Sequence, residues 1–183
     1  VIWKAVMITS CSLLDRWTRP DQWPLIGAAA SGAMLAGAFA FEVFGRYSPC
    51  PLCIDQRWAH GYVIATGLIL YGGLRLAPPS RAMFSRFAAG LIAVLFGFSA
   101  KAAIHHAGGE YDFWTLDCQA RNMTGLTVDA LLDSLSTPTP VVLCDEPAWT
   151  LLGISMAGYN ALFSIALGVT SLVVVFRKPF RSA

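Results

Sequence analysis

The sequence predicts an all-α membrane protein: a four-helix transmembrane bundle with a long third connection that carries a short interfacial helix. Three observations lead there. Charge is scarce, apolar residues gather in long blocks, and the basic residues fall on one side of those blocks. Of 183 residues, 56% are hydrophobic and 13% charged, where a soluble domain carries about 25% charged residues. Mean hydropathy is +0.57. The net charge of +2 is too small to suggest a nucleic-acid partner.

A membrane-crossing helix needs roughly 20 mainly apolar residues. Four blocks meet that length, at about 25–44, 58–76, 84–104 and 149–176. Each is apolar around its whole circumference, as expected beside lipid. Backbone polar groups in lipid must pair within their own segment, which makes helices the expected form. Residues 25–176 are therefore read as one membrane domain, 1–24 as a cytoplasmic or interfacial leader, and 177–183 as a cytoplasmic tail. Residues 1–14 are too few to span, and no small-residue cleavage pattern precedes the first block, so a cleaved signal peptide is not expected.

Basic flanks set the orientation. Lys4, Arg16 and Arg19 precede the first block, Arg75, Arg81 and Arg86 bracket the second connection, and Arg177, Lys178 and Arg181 follow the last block. That side is read as cytoplasmic, with both termini on it. The third connection instead carries Glu110, Asp112, Asp117, Asp129, Asp133, Asp145 and Glu146 against Arg121. Connections 45–57 and 105–148 are then expected in the opposite compartment.

Topology sorts the five cysteines. Cys50 and Cys53 form Cys50-Pro51-Leu52-Cys53 at the mouth of the second block, and Cys118 and Cys144 lie in the acidic connection. All four fall on the side where disulfides persist. Cys11 falls alone on the other side, where it reads as an inert small apolar residue. Pro51 suits the first position of a helix, so Cys50 is expected as its cap and Cys53 in its first turn. The positive end of the helix dipole favours a thiolate there. Arg57 follows Cys53 by four residues on the same face; it either supports that thiolate or snorkels to the interface, and spacing does not choose.

A C-x-x-C also serves zinc, and Cys118 with Cys144 would complete an all-cysteine set. Their spacing is not that of a zinc knuckle and the compartment is oxidising, so no metal is expected. A Cys118–Cys144 disulfide could be a static staple worth on the order of 3.5 kcal/mol. That leaves unexplained a second cysteine pair at a polarised helix start on the same side. Two dithiol pairs that can meet are what a relay needs, since exchange proceeds by thiolate attack on the next disulfide. No G-x-G-x-x-G or C-x-x-C-H motif is present, and a lipid-soluble quinone reaching the site from the bilayer fits the location of Cys53 and Arg57 as the expected terminal acceptor. Strongly oxidising partner thiols sit near about −120 mV, so a cysteine pair stays oxidised against them only if something better takes the electrons.

Several stretches carry a family resemblance. They are Phe41-Glu42, Pro49-Cys50-Pro51-Leu52-Cys53-Ile54-Asp55-Gln56-Arg57, His106-Ala107-Gly108-Gly109-Glu110 with Trp114, and Cys144-Asp145-Glu146-Pro147-Ala148-Trp149 running into Gly153-Ile154-Ser155-Met156-Ala157. In this order the chain resembles the DsbB family of bacterial disulfide-bond formation proteins; DsbA–DsbB–quinone is the general system that keeps the bacterial periplasm oxidising. The resemblance implies an inner-membrane thiol oxidoreductase that reoxidises a DsbA-like thioredoxin-fold partner and reduces ubiquinone or menaquinone. It implies redox-active disulfides Cys50–Cys53 and Cys118–Cys144. Cys118 would take the partner's mixed disulfide, and the released Cys144 would engage Cys50. Cys53 would stack its thiolate on the quinone with Arg57 in support. His106 matches a position near the quinone, with His105 as the alternative imidazole.

Further features fit a bundle without deciding its chemistry. Glu42 and Arg46 are spaced to pair, and Gly32, Ala36 and Ala40 form a stripe suited to close helix packing. Leu126, Leu131, Leu132 and Leu135 outline a short surface helix starting near Thr127, and Pro138 and Pro140 stiffen the approach to Cys144. Two competing readings remain. A vitamin K epoxide reductase-like enzyme also uses two cysteine pairs, but with the C-x-x-C late in the chain. A non-catalytic, disulfide-stapled subunit or transporter would show repeated halves or broken spans, and neither is visible.

Overall fold

The computed structural model describes residues 19–76, 81–116 and 144–177. Among these residues the helices are α1 (Trp23–Val43), α2 (Pro51–Leu76), α3 (Arg81–Glu110) and α4 (Met156–Phe176), and a two-stranded hairpin of β1 (Thr150–Leu151) and β2 (Ile154–Ser155) precedes α4. Proline opens α1 near its first position and opens α2 at Pro51, where the missing N–H costs nothing. Ser155 caps α4, its hydroxyl accepting the Gly158 N–H at 3.0 Å. Pro78-Pro79 follow the end of α2 in the sequence.

α1, α3 and α4 are long and apolar enough to cross a membrane. α2 is long enough, at 26 residues, but its first turns carry Asp55, Gln56, Arg57 and His60. The interior is small. Trp23, Val63, Ala89, Ile92, Phe96 and Val174 form its buried cluster, while Ile69, Phe87, Val94 and Phe98 point outward and are more than half exposed. An apolar exterior around a compact interior is the pattern that lipid permits and water penalises. α3 packs most extensively on α4, and α2 bridges α1 and α3. At one end of the bundle Trp23 Nε1 donates to Ser171 Oγ at 2.8 Å, joining the start of α1 to the end of α4.

Two expectations about packing need correction. The fourth apolar block does not form one helix from residue 149: Leu152 and Gly153 take φ of +52° and +77°, and the chain reverses through the hairpin before α4 begins. Hydropathy cannot distinguish a short apolar hairpin from a first helical turn, whereas two successive positive-φ residues mark a primed turn. The small-residue stripe is also misplaced. A Cβ on Gly32 would meet nothing within 4 Å, and Ala36 and Ala40 are exposed. Close approach occurs at Gly67, where a Cβ would lie 2.5 Å from the Pro24 carbonyl oxygen and 3.0 Å from Ala28 Cβ. Residues 1–18 of the leader with Cys11, the expected surface helix around Leu126–Leu135, and Cys118 lie outside the described residues, and the end of the expected leader, from Trp23, already belongs to α1.

Candidate functional site

The site forms where the start of α2 meets the ends of α1 and α3 and the start of α4. Cys50 caps α2: the Cys53 N–H donates to Cys50 Sγ at 3.2 Å, and the Ile54 N–H donates to the Cys50 carbonyl at 3.1 Å. The C-x-x-C spacing thus brings the two sulfurs to 3.0 Å, with the Cys50 thiol donating to Cys53. Both are free thiols. Their acidities split. Donation from Cys50 is the main reason that the Cys53 thiol falls to about 7, helped by the backbone and, more weakly, by Arg57, against burial and the Glu110 charge. The same bond and burial push Cys50 upward. The pair is therefore polarised, with negative charge favoured on Cys53 and the proton on Cys50.

Arg57 does not pair with the interface alone. Its guanidinium pairs with Glu42 and lies over the Phe39 ring at 4.7 Å. Glu42 therefore engages Arg57 instead of the expected Arg46: the left-handed Arg46 (φ 56°) lies past the end of α1, where helical i,i+4 geometry no longer applies. Arg57, Glu42 and Cys53 share a cavity of about 400 Å³ lined by aromatic and aliphatic side chains, among them Phe41, Trp149 and Phe163. Phe41 and Trp149 pack at 5.0 Å between centroids, and Tyr159 continues the aromatic wall at 6.3 Å from Trp149. A concave, mainly apolar site of this size with a few convergent polar groups is suited to a flat organic ligand.

Of the two adjacent imidazoles, His106 faces the site. It is buried, and its Nε2 lies 3.5 Å from Cys50 Sγ and 3.7 Å from the Glu110 carboxylate. His105 is exposed, stacks on Trp114 at 6.0 Å, and accepts the Trp114 indole N–H at its carbonyl. Helical rotation separates neighbours by about 100°, so one imidazole turns in and the other out. Cys50, Cys53 and His106 bring one ligand atom each within 4.8 Å of one another, a set that suits a soft cation in chemistry. Cys144 cannot add a thiolate to that set, because it is disulfide-bonded; it is nonetheless buried, and its backbone hydrogen-bonds the His106 imidazole. Its expected pairing with Cys118 falls on a residue outside those described.

Three polar residues escaped the sequence reading. Gln56, His60 and Asn160 are hydrogen-bonded to one another and to His106 within the bundle. His60 and Asn160 each interrupt an apolar block, and that interruption is the available signal; Gln56 sits before the second block, within the stretch that carries the family resemblance.

The family model described as "Disulfide bond formation protein DsbB" matches residues 20–174. A "Disulfide bond formation protein B 2" of Pseudomonas aeruginosa is 33% identical, covering 85% of this chain and 88% of the relative. The "Disulfide bond formation protein B" of Dechloromonas aromatica is 27% identical over 84% of this chain and 90% of its own. That of Methylococcus capsulatus is 29% identical over 81% and 90%. No solved structure matches the chain.

Proposed function

This chain belongs to the DsbB family of disulfide bond formation membrane proteins, and from that premise we propose that it reoxidises a periplasmic DsbA-like dithiol and passes the electrons to a membrane quinone. In this reading α2 is the remaining span, the helix start bearing Cys50 lies at the periplasmic surface of the inner membrane, and both termini are cytoplasmic. The observation that carries the proposal is the opening of the Cys50–Cys53 dithiol, with Cys53 favoured as thiolate, onto an apolar aromatic-walled cavity. The volume and lining fit a quinone headgroup with its tail toward lipid.

The work divides among the four cysteines. The partner's thiolate attacks Cys118 of a Cys118–Cys144 disulfide, releasing Cys144. Cys144 then attacks Cys50 of a Cys50–Cys53 disulfide and frees Cys53. The partner's second thiolate then resolves the mixed disulfide and the partner leaves oxidised; the released Cys118 attacks Cys144 of the Cys50–Cys144 disulfide, which restores Cys118–Cys144 and leaves Cys50 and Cys53 as the reduced pair. A bound quinone supplies the sink, accepting two electrons and two protons as the dithiol returns to a disulfide. Arg57 contributes fixed positive charge at the cavity wall, moderated by Glu42. His106 borders Cys50 and touches the backbone of Cys144, so it stands where those two sulfurs would exchange.

The test uses purified protein in detergent, a reduced DsbA-like partner and a soluble ubiquinone analogue under anaerobic conditions. Stoichiometric quinone loss that disappears in Cys53→Ser and Cys118→Ser supports the relay and its direction. Absence of quinone loss in the unmodified protein refutes it and favours a disulfide-stapled membrane subunit.

A further inference from the structure

A buried chain of hydrogen bonds runs from the interior of the bundle to the redox thiols. Ser31 Oγ lies 3.2 Å from His60 Nδ1, and His60 Nε2 lies 2.9 Å from Asn160 Oδ1. Asn160 Nδ2 donates to Gln56 Oε1. Gln56 Nε2 lies 2.7 Å from His106 Nδ1, and His106 Nε2 lies 3.5 Å from Cys50 Sγ. Side branches close through Ser99, 3.3 Å from His60 Nε2 and 3.1 Å from Ser164, and through Ser164, which donates to Asn160 Oδ1 at 3.1 Å. Residues from all four helices take part.

An amide nitrogen can only donate and an amide oxygen can only accept, so one link constrains the next. With Asn160 donating to Gln56 Oε1, the Gln56 nitrogen must donate to His106 Nδ1. That ring nitrogen then carries a lone pair and Nε2 carries the proton. A fully reversed chain would also satisfy every amide. Two groups at the thiol end break the tie: the Glu110 carboxylate at 3.7 Å from Nε2, and the Cys50 sulfur at 3.5 Å from Nε2, whose own proton is directed at Cys53. Each calls for an N–H at Nε2.

We infer that Asn160 and Gln56 are positioning residues that fix His106 as its Nε2–H tautomer, so that it presents a hydrogen-bond donor, and not a base, to Cys50 Sγ. Together with the Cys53 N–H, it gives Cys50 a second donor. Charge on that sulfur is stabilised whenever Cys50 is a leaving group or an attacking thiolate, with no proton leaving the imidazole. The aligned donors polarise one another toward the thiol pair. This rests on the reading of Cys50–Cys53 as the electron-passing pair, but its test needs neither quinone nor partner.

The chain has three histidines, so ¹⁵N-histidine labelling of the full-length reduced protein in detergent reads each tautomer by long-range ¹H–¹⁵N correlation. His105→Gln and His106→Gln assign the signals. His106 is expected protonated at Nε2 alone. Asn160→Asp removes the donor facing Gln56, so the Gln56 amide rotates to donate to Asp and offers its oxygen to His106 Nδ1. The proton then moves to Nδ1 although the substituted residue is bonded to neither thiol. The dithiol–disulfide equilibrium constant of Cys50–Cys53 against glutathione should shift about fivefold toward the disulfide, the size of a hydrogen bond to a neutral thiol, or about 20 mV. Asn160→Leu, which adds no charge, should leave both tautomers populated and shift the constant partway. Protonation of His106 at Nδ1 in the unmodified protein, alone or with Nε2, overturns the inference. So does an unmoved tautomer and constant in both Asn160 variants.

Discussion

Cys50→Ala isolates what makes Cys53 acidic. The largest influence on Cys53 is the hydrogen bond from the Cys50 thiol, and with it Cys53 titrates at about 7, against an ordinary value of 9.0. Thiolate fraction rises with pH through that value, so at neutral pH about half of Cys53 is thiolate. At the ordinary value, taken as the end point once the bond is lost, it would be about one part in a hundred, since each pH unit is a factor of ten. Reactivity does not fall by the whole of that ratio. A less acidic thiol is a better nucleophile, with a Brønsted slope of about 0.45, and two units return about eightfold per thiolate. The net expectation is a roughly sixfold slower alkylation of Cys53 at neutral pH, and a midpoint about two units higher. Iodoacetamide alkylation of the purified protein, followed from acid to alkaline pH by mass spectrometry of the Cys53 peptide, gives both quantities. A midpoint that stays near neutrality in Cys50→Ala would refute the assignment and transfer the effect to the helix start or to Arg57.

Other expectations follow from the same contacts. Arg57→Gln should raise the Cys53 midpoint only slightly, because Arg57 is its weakest influence; the larger effect should be a raised KM for a quinone analogue, read from steady-state rates with Glu42 left unpaired at the cavity wall. Gly67→Val should force α1 from α2 at Pro24 and Ala28 and destabilise by about 1–3 kcal/mol, the usual range for overpacking, seen as a lower thermal midpoint in detergent. Ser155→Ala removes the α4 cap and the hydroxyl that donates to Glu110; about 1 kcal/mol of stability should go with the cap. Trp23→Phe removes the buried bond to Ser171 at a similar cost, and should leave alkylation of Cys53 unchanged.

The number of helices and the neighbourhood of Cys50 were legible because length, hydropathy and the Pro51 start are local properties. What the sequence concealed was relational. Glu42 is four residues from Arg46 but its guanidinium partner is Arg57, because α1 has ended and α2 has folded back alongside. Gly32 and Gly67 look alike as small residues in apolar blocks, and only packing shows that Gly67 meets another backbone. Thr150 to Ser155 read as the opening of a span because hydropathy carries no sign of φ. His60, Gln56 and Asn160 are spread over a hundred residues, and their linkage exists only once four helices converge. His106 could be separated from His105 only by knowing which side of α3 faces inward.

The hairpin before α4 also anchors one end of the segment that carries Cys144. Tyr111 clasps it from the end of α3, its hydroxyl donating to the Gly153 carbonyl at 2.9 Å and accepting the Ser155 N–H at 2.8 Å. The stretch from Cys144 to Thr150 is so short that, fully extended, it reaches no more than about 20 Å from that anchor. Cys144 is thus on a leash: whichever sulfur it leaves, it stays within a small volume around the start of α2. Chain tethers of this kind correspond to effective concentrations on the order of millimolar. Encounter between Cys144 and Cys50 therefore does not depend on how much protein the membrane holds, and the leash length, set by the Tyr111 clasp, becomes a quantity that insertion of residues after Glu146 would dilute.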